Sequence, residues 1–145
     1  MRLFTTAVVA LLLFIGLGSG WPVGGASVAY AQQDSTVLAQ IEHAFRSSDV
    51  EALLSRAANR VDVVIFGKGA SYSREQATLV LLDFFRRNPP RRVIFEQQVL
   101  ADDRRSMVGH YQIAGGEEPV SISVRLRERG GEWQVRAVRI EQRGR

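Results

Sequence analysis

The stretch from Arg92 to Ile140 constrains the fold most, because strand follows strand with connections too short for anything but antiparallel neighbours. Val120, Ile122, Val124 and Leu126 alternate with Ser121, Ser123, Arg125 and Arg127, the pattern of a strand with one face buried and the other wet. Gly130-Gly131 supplies a two-residue hairpin loop. In the next strand Trp133, Val135 and Ala137 alternate, and then the apolar parity slips to Val138 and Ile140. A slip of one residue predicts a β-bulge near Ala137, which bends the strand and curves the sheet. Upstream, Arg92 to Leu100 and Arg104 to Ala114 read as two further strands about a turn at Ala101-Asp102-Asp103. Met107, Tyr111 and Ile113 share one parity and are expected inside; His110, with Ser106 and Gln112, is expected outside or in a subunit contact.

The preceding segment is mostly helical. Val37, Leu38, Ile41, Ala44 and Phe45 form a one-sided stripe over Ser35 to Arg46, with Asp34 or Ser35 as cap and His43 on the solvent side. Ser48 and Glu51 have the spacing of a capping box opening a short helix to about Ala57, with Asp49 in its first turn and Val50, Leu53 and Leu54 buried. Arg60 to Phe66 is β-branched and apolar, a strand that Gly67-Lys68-Gly69 turns toward a short partner at Ala70 to Tyr72. The two glycines lack the spacing and the Lys-Ser/Thr pair of a phosphate-binding loop. Ser73 and Gln76 open a second capping box and a helix that Asn88-Pro89-Pro90 stops after Arg87. Ala77, Val80, Leu81, Phe84 and Phe85 share one face of it, while Leu79 and Leu82 lie nearly opposite. A helix apolar on two sides predicts a sandwich, with the sheet beneath and the first two helices above.

The chain opens with Met1-Arg2, an apolar stretch from Leu3 to Leu17 and a small-residue exit at Ala29-Tyr30-Ala31. That is the pattern of a secretory signal peptide over residues 1–31, with cleavage expected between Ala31 and Gln32. The apolar stretch falls short of the roughly 20 residues that a spanning helix needs, and the glycines and Pro22 after it oppose a longer helix. The expected product is exported, periplasmic or secreted, with no stable membrane span after cleavage. Residues 32–145 have the size of one domain, and the chain has no cysteine, so stability must come from burial. Removal of Arg2 leaves 18 basic and 15 acidic side chains, and Lys68 is the one lysine. A small positive excess in an exported protein does not call for nucleic acid as a partner.

Phe45-Arg46-Ser47-Ser48-Asp49-Val50-Glu51-Ala52-Leu53 resembles the first helical junction of the nuclear transport factor two-like superfamily, and Trp133-x-Val135-x-x-Val138-x-Ile140 resembles its bulged last strand. More narrowly, Tyr72-Ser73-Arg74-Glu75-Gln76-Ala77, Phe84-Phe85 and Val138-Arg139-Ile140-Glu141 resemble an exported bacterial family, domain of unknown function 4783. The resemblance implies an α+β, cystatin-like cone: three N-terminal helices packed on a curved antiparallel sheet that encloses a cavity. The superfamily includes isomerases, dehydratases, hydrolases and non-catalytic binding modules, so fold alone does not fix function.

Enzymes of that superfamily carry acidic, histidine or tyrosine groups inside the cone, where burial moves their pKa values. The weak candidates are Asp62, Tyr72 and Tyr111; an isomerase-like mechanism needs Asp62 inside as proton carrier and a tyrosine as oxyanion donor. His43 and His110 are the only histidines, so no metal or cofactor is expected. The reading favoured is a non-catalytic binding module whose apolar cavity, lined by Phe84, Met107, Tyr111 and Val124, takes a small apolar ligand. A small-molecule isomerase, dehydratase or hydrolase of the same fold is the alternative, and a dimerising structural module the second. On the opposite face Arg125 and Arg136 are expected across from each other, with Arg127 and Arg139 alongside. Facing like charges are unfavourable unless solvent or an anion relieves them. The plain reading is a solvated face with Glu128, Glu132 or Glu141 nearby; the functional alternative is a docking face for an acidic protein, a second copy or an envelope anion.

Overall fold

The computed structural model describes residues 25–143 of the 145, so the apolar stretch from Leu3 to Leu17 lies outside the described residues. The elements run α1 (Gly25–Ser47), α2 (Val50–Leu54), β1 (Ala57–Ile65), β2 (Lys68–Ser73), α3 (Arg74–Arg87), β3 (Pro90–Ala101), β4 (Arg104–Ile113), β5 (Val120–Arg129) and β6 (Glu132–Glu141). The six strands form one curved sheet in the order β2-β1-β6-β5-β4-β3. Neighbours are antiparallel except β1 and β6, which run parallel. This is the expected α+β architecture, helices on one face of the curved sheet.

The alternation fixes the inner face as read except at two positions of β4: Ile113 is only half-buried, and Ser106, expected outside, is buried. Val120, Ile122, Val124, Leu126, Trp133, Val135, Val138, Ile140, Met107 and Tyr111 are buried, and so are Ala77, Leu81, Phe84 and Phe85 from α3. An aromatic series closes the interior. The Phe45 ring meets Phe95 at 5.2 Å and Phe85 at 5.6 Å; Phe85 meets Phe84 at 5.5 Å, and Phe84 meets Tyr111 at 5.7 Å. These centroid separations are those of edge-on or tilted aromatic pairs in contact.

Several boundaries depart from the sequence expectations, each for a local reason. Helix α1 runs straight through Asp34 and Ser35, because the alanines and glutamines before them are good helix formers. Ser48 is not the cap of α2. It sits at φ 58°, and the Asp49 N–H donates back to the Ala44 carbonyl at 2.9 Å, the six-to-one bond of a Schellman ending for α1. The cap therefore moves on to Asp49, whose carboxylate accepts from the Ala52 N–H at 2.9 Å. Helix α2 stops at Leu54 because the following residues join the sheet: Val135 N–H donates to the Arg56 carbonyl at 3.0 Å, and Ala57 is in register with Val135. The Ser73–Gln76 capping box forms in full.

Helix α3 is not sandwiched. Leu79 is 68% exposed and Leu82 44%. Helix α1 lies along β3 and α2, and α2 touches α3 from the side, so the helices flank one another and leave the outer side of α3 bare.

Candidate functional site

The hairpin between β1 and β2 turns one residue earlier than glycine placement suggests. Ile65 pairs with Lys68, so Phe66 and Gly67 are the loop, at φ 51° and 78°. Both positions positive is the pattern that favours Asn-Gly, and a bulky residue there costs about 1–2 kcal/mol. Phe66 bears that cost while 40% exposed. Its ring stands edge-on to Phe84 at 6.1 Å, and its N–H donates to the Ile140 carbonyl at 2.8 Å. Between the ring and α3 opens a cleft of about 420 Å³ lined by Ile65, Leu79, Val80, Phe84, Asp83, Arg87 and Asn88. A second depression, about 670 Å³, shares Phe66 and Asn88 and continues past Ile113, Pro119 and Val120. The two meet at Phe66 and Asn88, and together they are called the mouth. Asp83 ties Arg86 and Arg87 at its rim, at 3.3 and 2.8 Å.

The expected cavity residues divide. Phe84 lines the mouth cleft, whereas Met107, Tyr111 and Val124 belong to the packed interior. The Tyr111 hydroxyl donates to the Asn88 carbonyl, and burial pushes its pKa far above the usual phenol value. It is a fixed structural donor that ties β4 to the end of α3. Asp62 is exposed; its neighbours Val61 and Val63 are the buried ones, and its register partners are Ser71 and Ala137. The isomerase-like arrangement needs Asp62 inside, and strand parity puts it outside. Tyr72 is half-buried beside the core, in register with Val61. His43 and His110 are exposed, and among the described residues no three His, Cys, Asp or Glu side chains lie close enough to hold a metal ion.

The outer face also differs from expectation in one respect. The register passes from Leu126↔Val135 to Arg125↔Ala137, so the bulge falls on Arg136 itself. Arg125 therefore faces Ala137 and Ser106 rather than Arg136. Arg127 pairs with Asp103 and Arg139 with Glu141, both at 3.3 Å.

Comparison with known proteins places the chain. Residues 38–141 match the family model "Domain of unknown function (DUF4783)". The chain belongs to the DUF4783 family. A DUF4783 protein from Bacteroides uniformis is similar over 74% of this chain and 97% of its own, at 17% identity and a TM-score of 0.67. One from Bacteroides ovatus is similar over 74% and 96%, at 18% identity and 0.67. Beyond the family, an NTF2-like protein of unknown function from Pseudomonas putida covers 81% of this chain and 89% of its own, at 16% identity and 0.57. A domain of unknown function with a cystatin-like fold from Nostoc punctiforme gives 12% identity and 0.59, over 81% and 79%. These likenesses establish an NTF2-like, cystatin-like fold for this DUF4783 chain. No curated protein matches its sequence. Sequence reasoning did not single out Phe66; the signal available was a Phe-Gly pair ending a β-branched strand, where Asn-Gly is the ordinary choice.

Proposed function

We propose that this DUF4783 protein is an exported, non-catalytic binding module that takes an apolar ligand at the mouth beside Phe66. The observation that carries the reading is Phe66, a half-exposed aromatic ring kept in a left-handed conformation over an apolar cleft. Backbone strain of this kind persists where surrounding structure holds it and concentrates at binding sites. A cleft of about 420 Å³ has room for a small ligand. Leu79, more than two-thirds exposed beside it, offers further apolar surface. The signal-peptide pattern of residues 1–31 supports the exported compartment, and among the described residues no helix is long and apolar enough to cross a membrane.

Phe66→Asn is the informative variant. Relief of the left-handed strain, about 1–2 kcal/mol, nearly offsets loss of an aromatic pair worth about 0.5–1.5 kcal/mol. The fold should therefore stay within about 1 kcal/mol of the parent in urea melts, while the ligand loses its main contact. The fluorescent probe N-phenyl-1-naphthylamine should brighten with the parent protein and much less with Phe66→Asn or Leu79→Ser. Equal brightening in all three proteins would exclude the mouth as the site.

A further inference from the structure

At the opposite end of β1 from Phe66 the sheet opens. The β1–β6 register passes from Ala57↔Val135 directly to Asp62↔Ala137, so Ala58, Asn59, Arg60 and Val61 stand opposite Arg136 alone. The two strands part there, and the gap is a cleft of about 420 Å³ lined by Ala57, Ala58 and Asn59 together with Arg60, Arg74, Arg129, Gln134 and Arg136.

Four arginines from four elements thus border one concavity, and no carboxylate is among its lining residues. Arg60 is held by the Ser71 carbonyl at 2.6 Å and the Ser71 hydroxyl at 3.4 Å. Arg74 donates from Nη2 to the Ala57 carbonyl at 2.5 Å, and its Nε is shut away from solvent with no acceptor. Among the described residues none of the four makes an ion pair, whereas Arg46, Arg86, Arg87, Arg104, Arg127 and Arg139 each do. Glu132 is in register with Arg129, and Glu75 follows Arg74 in sequence, yet neither side chain lines the cleft. An adjoining depression of about 330 Å³ shares Arg129, Gln134 and Arg136 and holds the nearest acids that line a cleft, Asp103 and Glu128.

Unpaired like charges around a concavity repel one another, and the cost is lifted by an anion that enters it. Guanidinium forks match planar or tetrahedral oxyanions, and a buried N–H without an acceptor costs free energy until one arrives. We propose that the gap between β1 and β6 is a binding site for a small ligand bearing two or more negative oxygens, a phosphate ester or a polycarboxylate. Arg60 and Arg136 face it from the two sides of the gap, Arg74 and Arg129 border it, and Gln134 supplies a neutral donor and acceptor. The surplus on β1 is what opens the site: four of its residues, Ala58 to Val61, stand against Arg136 alone, so the ladder cannot close between Ala57 and Asp62. The site is separate from the apolar mouth, and its failure would leave that reading untouched.

The experiment is calorimetric titration of the full chain with pyrophosphate in one arm and citrate in the other, at ionic strength matched with sodium chloride. The expected result is saturable one-to-one binding of at least one of them, with a rise in Tm at saturation. Arg136→Gln and Arg60→Gln should each weaken that binding by about tenfold or more. Arg136→Gln should also raise the Tm of the anion-free protein, because one of the repelling charges is gone; a merely structural arginine would lower it. Arg92→Gln, on the far edge strand, should change neither quantity. Binding by pyrophosphate alone or by citrate alone assigns the phosphate or the carboxylate source. The proposal is overturned by no saturable binding of either at millimolar concentration, or by binding unchanged in both cleft variants. Binding of a polyglutamate peptide but of neither small anion overturns it equally.

Discussion

Tyr111 shows how one buried side chain serves the fold. It is fully buried, and its hydroxyl donates to the Asn88 carbonyl between the end of α3 and β3. Burial raises its pKa, so the folded protein holds the proton over a range where the unfolded chain has lost it. The linkage has a definite sign. Stability is insensitive to this group below about pH 10, the ordinary phenol value, and falls as pH rises beyond it. Spectrophotometric titration should therefore show Tyr111 ionising only as the protein unfolds. Removal of the alkaline decline in Tyr111→Phe would confirm the assignment; a decline of equal size in that variant would contradict it. At this scale the Ser73–Gln76 box was legible because the whole exchange of hydrogen bonds lies within four residues. Ser48 was not, because the same spacing serves a cap or a left-handed helix ending, and the bond from Asp49 back to Ala44 decides between them.

Elements were legible wherever one side of them is wet. The strands β5 and β6 announce their inner residues by alternation and the structure buries Val120, Ile122, Val124, Leu126, Trp133, Val135, Val138 and Ile140, whereas on β4 Ile113 is only half-buried and Ser106 is buried against the reading. What alternation cannot carry is which strand lies beside which. The parallel β1–β6 pair joins segments far apart in sequence, and the gap in that pair exists only once both are placed. For α3 the error had a different origin: two apolar sides were read as two buried sides, but a leucine at a helix surface needs no partner to be tolerated. The same limit applies to curvature. Gly109 faces inward on β4 between Phe95 and Ile122, and a Cβ there would come within 1.9 Å of the Ile94 carbonyl oxygen. Backbone is the obstacle, so β3 and β4 must separate to admit a methyl group. Gly109→Ala should destabilise by about 1–3 kcal/mol in urea melts, the usual cost of overpacking. A loss below about 0.5 kcal/mol would show that the bend at this point does not depend on glycine.

At the scale of the whole molecule, the long first helix meets the expected processing point. Helix α1 begins at Gly25, before the boundary expected between Ala31 and Gln32, and beyond that boundary Val37, Ile41, Ala44 and Phe45 are buried. Ser35 and Thr36 are exposed, and the family match begins at residue 38. Cleavage after Ala31 would shorten the helix by about two turns and retain Val37, Ile41, Ala44 and Phe45. It would also place a new ammonium group at a helix N-terminus, an unfavourable site worth about 0.3–1 kcal/mol, which Asp34 in the same turn opposes. A chain starting at Gln32 should therefore fold with the parent's stability to within about 1 kcal/mol. A chain starting at Leu38 loses Val37, whose burial is worth about 1.5–3 kcal/mol, and should be measurably weaker. If residues 1–31 act as a signal peptide, expression of the full sequence in a bacterial host, followed by intact mass of the exported fraction, should give a product beginning at Gln32. A product that begins at Met1 in the membrane fraction would refute cleavage. Equal stability of the Gln32 and Leu38 chains would move the start of the folded unit past Val37.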